Sequence, residues 1–126
     1  MQIDWKDSYK IGNVQIDAEH QKAFQLANQF LAAQDQATLR VAAMQLYKHT
    51  REHFEHEEKL MRDRAYPDTK AHVEGHNRLI SRLNVISQTI AKNDLNDQAL
   101  KDLMVDWTMN HIVQDDARLA AFVTAQ

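Results

Sequence analysis

The chain has no cysteine, a single proline and only two glycines in 126 residues. Without thiols there are no disulfides, no thiolate zinc site and no cysteine-held iron–sulfur cluster. So little proline and glycine leaves few turn-forming positions, and long helices are the natural reading. There is no run of eighteen apolar residues, and the opening MQIDWKDSYKIG has no apolar signal region. A membrane partner is therefore not expected, and the cytoplasm is the expected location. Basic residues number 15 against 18 acidic ones, a formal charge of -3, which provides no footprint for nucleic acid. What remains is ordinary globular material, 44% hydrophobic and 26% charged, at a length that suits one domain over residues 1–126.

Apolar periodicity divides that domain into an arm and four long patterns. The arm, about 1–16, is irregular, with Gly12-Asn13 as a turn signal and Trp5, Tyr9, Ile11 and Ile16 available to pack. Asp17 is the expected N-cap of a helix over about 18–34, where His20, Phe24, Ala27, Phe30 and Leu31 recur at spacings of three and four. A second helix over about 37–64 carries Leu39, Ala43, Leu46, Thr50, His53, Glu57 and Leu60, and Pro67 stops it. Asp68-Thr69 can cap a third over about 69–92, with His72, His76, Leu79, Leu83, Ile86 and Ile90 on one side. After the Lys92-Asn93-Asp94 break, a fourth over about 96–113 presents Leu100, Leu103, Met104, Trp107 and His111, followed by a short helix over about 117–124. The expected fold is all-α: an antiparallel up-down four-helix bundle with an irregular N-terminal arm and a short C-terminal helix.

In each of the four patterns the apolar stripe runs on into histidine. One such histidine is usually a satisfied core residue. Four stripes doing so would bury imidazoles and carboxylates at a cost of several kcal/mol unless a common partner, such as a metal, takes their lone pairs. Spacing favours the metal: His72 and His76 lie four apart and project from one helix face. The zinc-protease pattern HExxH has the same spacing but needs glutamate where Val73 stands. In the stretch HTREHFEHEEKLM, His49, His53 and Glu57 form a ladder of four-residue steps, and periodicity does not decide between the pairs His49/His53 and His53/Glu57. Imidazoles suit iron, zinc, copper or nickel about equally.

Taken in order, His20, His53-x-x-x-Glu57, His72-x-x-x-His76 and His111-x-x-x-x-Asp116 resemble the ligand set of the hemerythrins. So do the flanking stretches IDAEH, HFEHEEKLM and WTMNHI and an arm carrying Trp5, and the likeness runs from Trp5 to about Phe122. The resemblance implies two irons bridged by Glu57, Asp116 and an oxo or hydroxo group. His72, His76 and His111 would complete a six-coordinate iron. His20 and His53 would bind the other, leaving one position open for dioxygen. It implies a monomeric, non-enzymatic protein that binds dioxygen reversibly, for carriage or storage. The alternatives are an oxygen- or redox-sensing domain of a larger signalling protein, and peroxide or nitric oxide chemistry at the open iron. Seven ligands exceed what a single tetrahedral zinc uses.

Phe24, Phe54, Trp107 and Thr108 are the candidates for the dioxygen pocket, the three aromatic rings reading otherwise as core. Position 108 is commonly leucine in the family; here a hydroxyl either meets water or a ligand at the open iron, or bonds a backbone carbonyl one turn back. His111 and Asp116 are five apart, about 140° round an ideal helix, so the fourth helix must distort between them if both bind. Gln15, Asp17 and Glu19 are possible outer acceptors for ligand imidazoles. Glu58, Lys59, Arg62, Asp63 and Arg64 read as a solvated face.

Overall fold

The computed structural model describes residues 1–125; Gln126, the last residue of the expected domain, lies outside the described residues. The architecture is an all-α four-helix bundle: α1 (Val14–Ala32), α2 (Gln36–Asp63), α3 (Thr69–Ala91) and α4 (Asp97–Val105), which continues through a π-helical segment, Asp106–Asp115, into α5 (Asp116–Thr124). A single 3-10 turn, Asp7–Tyr9, interrupts the arm. α2 packs on both α1 and α3, and α4 closes the bundle against α3 and α1.

Local chemistry sets the helix ends, in two places differently from the sequence expectation. α1 begins at Val14 because the Asn13 side chain accepts Ile16 N–H at 3.0 Å, and Gly12 turns the arm at φ 91°. Asp17 therefore lies inside the helix instead of capping it. Its buried carboxylate receives Ile11 N–H at 2.7 Å and Gly12 N–H at 3.2 Å and clips the arm to α1. A second clip, Asn28, exchanges hydrogen bonds with both backbone groups of Ile3 at 2.8 and 2.7 Å. Asp68 occupies the N-cap position of α3 without a side-chain hydrogen bond. α2 ends before Pro67, with Ala65 at φ 54°, Tyr66 N–H on Met61 O and Ala65 N–H on Arg62 O. This Schellman closure recurs at Asn93, φ 56°, where the expected break after α3 falls.

The core runs the length of the bundle through Phe24, Phe30, Leu46, Leu83, Ile90, Leu103, Met104 and Trp107. A smaller cluster of Met61, Tyr66 and Leu119 seals one end under α5. Between the two apolar bodies lies a layer of buried polar side chains.

Candidate metal centre

That layer holds all seven residues of the expected ligand set, each buried: His20, His53, Glu57, His72, His76, His111 and Asp116. α1 contributes His20 from its second turn, α2 contributes His53 and Glu57 near its C-terminal end, and α3 contributes His72 and His76 from its first two turns. His111 comes from the π-helical segment and Asp116 opens α5 directly after it, with Asp116 N–H bonded to His111 O, five residues back. An i→i+5 bond stacks residues five apart on the same face, which an α-helix does not. This is the distortion that His111 and Asp116 require, and it extends over ten residues instead of only Val113-Gln114-Asp115.

The donors fall into two overlapping groups, within each of which the candidate ligand atoms lie within 4.8 Å of one another: Glu57, His72, His76, His111 and Asp116; and His20, His53, Glu57 and Asp116. Each carboxylate divides its oxygens between them. Glu57 Oε1 is 2.7 Å from His72 Nε2 and 3.0 Å from His76 Nε2, while Oε2 is 3.4 Å from His20 Nε2 and 3.3 Å from His53 Nε2. Asp116 Oδ1 is 2.9 Å from His72 Nε2 and 3.4 Å from His111 Nε2, while Oδ2 is 3.0 Å from His20 Nε2. His76 Nε2 and His111 Nε2 face each other at 3.0 Å. Donors about 2.1 Å from one ion at right angles stand about 3 Å apart, the spacing seen here.

Hydrogen bonding accounts for only part of this packing, through Glu57 Oε1 with His72 and His76 and through the His76–His111 pair. His20 Nδ1 and Nε2, His53 Nε2, Glu57 Oε2 and both oxygens of Asp116 are sealed from solvent with no hydrogen-bond partner among the described residues. Sealed donors and acceptors are rare without a partner. A pair of metal ions fits this donor set, because it would take the inward-facing lone pairs of both groups at once; His20 Nδ1, on the other side of its ring, is not among them.

Charge ties the groups together as well. Burial disfavours the imidazolium of His20, but Asp116 and Glu57 outweigh it and lift the group to about 9; the same balance raises His72 to about 9. His111 is lifted against burial to about 10, by the charge of Asp116 first and then by Asp115 and Glu57. Burial would push the Glu57 carboxyl up, yet His111, His20, His53 and His72 hold it well below the usual carboxylate range. Asp116 is likewise lowered, against both burial and the charge of Glu57, by His111, His20 and His72.

A ring of outer carboxylates aims the imidazoles. Glu19 Oε1 accepts from His53 Nδ1 at 2.8 Å, Glu58 Oε2 from His76 Nδ1 at 2.8 Å and Asp115 Oδ2 from His111 Nδ1 at 3.2 Å. Fixing the proton on Nδ1 turns the Nε2 lone pair into the cluster. Of the expected outer acceptors only Glu19 takes this role. Gln15 bonds Glu19 and His56, and Asp17 serves the arm. Glu58 is corrected from the solvated face to this ring. A signal was present: each acceptor neighbours a cluster residue in sequence, Glu19 beside His20, Glu58 beside Glu57 and Asp115 beside Asp116. Neither His49 nor His56 joins the cluster. His49 Nε2 bonds Glu19 O at 2.9 Å, and His56, 45% exposed, bonds the second oxygen of Glu19 at 2.6 Å. Glu58→Gln should weaken metal retention about 10- to 100-fold in competition with a chelator. Unchanged retention would remove Glu58 from the ring.

Phe54 stacks on His76 at 3.7 Å between centroids, and Trp107 lies 4.9 Å from Phe54 and 5.9 Å from His53, so both rings wall the cluster. Phe24 instead meets Trp5 and Tyr9 of the arm, at 5.3 and 5.9 Å. Thr108 is fully buried, and its hydroxyl donates to Met104 O at 2.7 Å, the backbone arrangement of the two considered above.

Fold and site together define a helical bundle built around a carboxylate- and imidazole-lined two-centre pocket. The model of the hemerythrin HHE cation binding domain matches residues 12–123, and the chain belongs to that family. Bacteriohemerythrins of Pseudomonas aeruginosa and Pseudomonas paraeruginosa are each 32% identical over 117 residues, covering 90% of this chain and 76% of the relative. A crystal structure of a hemerythrin mutant superposes with a TM-score of 0.77 at 20% identity, covering 89% of both chains, which shows a shared fold. Among the described residues no helix is long and apolar enough to cross a membrane.

Proposed function

We propose that this chain is a non-heme di-iron protein that binds dioxygen reversibly, as carrier or store, and works as a cytoplasmic monomer. The observation that carries the reading is the division of the carboxylate oxygens. His72, His76 and His111 would hold one iron with Glu57 Oε1 and Asp116 Oδ1, five protein donors in all. His20 and His53 would hold the other with Glu57 Oε2 and Asp116 Oδ2, four donors. The first ion would thus have one more protein donor than the second, and the second would keep room for a ligand. When bound, the iron pair would supply the electrons and the open position that reversible dioxygen binding needs.

The protein's own share is positioning and exclusion. Glu19, Glu58 and Asp115 keep three imidazoles in the metal-binding tautomer. Phe54 and Trp107 keep water from the cluster, and the Thr108 hydroxyl, spent on Met104 O, has no proton to offer a ligand. That last contact favours stable binding over turnover, so the reading is not enzymatic.

Two irons per chain are expected after anaerobic loading, with a visible absorption that grows under oxygen and vanishes under argon over repeated cycles. Two irons with a single irreversible oxidation would replace carriage by sensing or peroxide and nitric oxide chemistry. Fewer than two metals, or zinc alone, would overturn the ligand assignment.

A further inference from the structure

On the flank of the bundle, outside the cluster, an open cleft of about 410 Å³ lies between Tyr66, His72, Gly75, Arg78, Asp115 and Arg118. His72 connects it to the interior. The outer nitrogens of His53, His76 and His111 each meet a carboxylate, but His72 Nδ1 has no hydrogen-bond partner among the described residues. Nor is it sealed like His20 Nδ1, and its residue lines the cleft. An imidazole in this family of sites is expected to give its second proton to an acceptor.

The cleft walls hold further unused donors. The Arg78 guanidinium has no ion pair or hydrogen bond among the described residues, and the Tyr66 hydroxyl has no partner there either. Arg118 donates to Asp115 Oδ1 at 2.6 Å and has other N–H groups to give. Two carboxylates line the cleft. Asp115 is engaged on both oxygens, by Arg118 and His111, and Asp68 alone opposes an incoming anion.

Gly75 forms part of the lining between His72 and Arg78. A glycine inside a helix weakens it relative to alanine. A Cβ here would meet only the Arg78 Nη2 atom, at an ordinary 3.7 Å, so packing does not demand the glycine. What the missing side chain provides is open floor beside His72.

We propose that this cleft binds a small free oxyanion of the phosphate class, gripped by the Arg78 guanidinium and accepting the Nδ1 proton of His72. The Tyr66 hydroxyl and the remaining N–H groups of Arg118 complete its donors. The anion thereby gives His72 the outer acceptor that Glu58 and Asp115 give its neighbours. The site depends on the back of the imidazole and not on which metal the cluster holds, so it stands apart from the dioxygen reading.

The test is calorimetric titration of inorganic phosphate into the protein as purified, at ionic strength held constant with chloride. Saturable one-to-one binding is expected, weakened about tenfold or more by Arg78→Gln. Gly75→Ala should also weaken it while raising the melting temperature, two changes that a purely structural glycine would not couple. Heat that never saturates, or an affinity that both variants leave unchanged, overturns the proposal. The readout is anion affinity, so it is informative whether or not the metal proves to be iron.

Discussion

Replacing Glu57 by glutamine is expected to take the protein from two irons per chain to one or none, with the bundle still folded. Glu57 and Asp116 are the only residues common to both donor groups. The Glu57 carboxylate reaches four imidazole nitrogens, two through each oxygen, between 2.7 and 3.4 Å. An amide offers a single oxygen and no charge, so it cannot serve both ions. Loss of an outer acceptor costs about 10- to 100-fold in metal affinity, and loss of a shared ligand should exceed that range. The fold should survive, because the apolar core lies below the cluster and the amide has the shape of the side chain it replaces. Metal analysis after loading with ferrous iron and desalting, beside circular dichroism, separates the two effects. Asp116→Asn should behave alike. Two irons retained in Glu57→Gln would mean that this carboxylate does not bridge.

The bundle was legible in the sequence because its signals are local and repeated. Stripes at spacings of three and four, the scarcity of turn formers and the Lys92-Asn93-Asp94 break all act within a few residues. The cluster residues were legible for another reason: histidine at the end of an apolar stripe contradicts burial energetics unless something binds it. What the sequence did not show is competition between neighbours. Asn13 and Asp17 are both good caps, and the winner depends on where Gly12 turns the arm. Glu58 looks solvated on its own helix. Its role comes from His76 on α3, and pairing across helices leaves no periodic trace. Ring partners are equally non-local, which is why Phe24 turns to the arm while Phe54 and Trp107 face the cluster. The π-helical segment was half-visible: a five-residue step called for distortion between His111 and Asp116, but not for ten residues of it.

Stripped of metal by chelation, the protein is expected to lose stability as pH rises from about 6.5 towards 10, while the iron-loaded form loses it in acid. The sign follows from the direction of each shift. His20 and His72, raised from 6.5 to about 9, and His111, raised to about 10, are imidazolium in the folded metal-free chain and bind protons more tightly there than when unfolded. Their stabilisation is complete below 6.5 and is lost as pH climbs through the folded values. Glu57 and Asp116 are lowered, so their contribution is complete above the ordinary carboxylate range and is lost as pH falls below it through their lowered folded values. The metal-free protein should therefore be most stable at about pH 5 to 6.5. The rise at His20 alone corresponds to about 3 kcal/mol. The three sites share two carboxylates, so their contributions do not add in full. A loss of about 3 kcal/mol lowers the melting temperature of a chain this size by roughly 10 °C. In the loaded protein the same nitrogens face metal, and protons compete with the ions instead of holding the carboxylates together, so metal retention strengthens as pH rises. Melting curves of both forms at pH 6 and pH 9.5 decide the matter. If both forms shift in parallel, or the chelated protein is the more stable at pH 9.5, the imidazolium–carboxylate cluster is not what holds the metal-free pocket together.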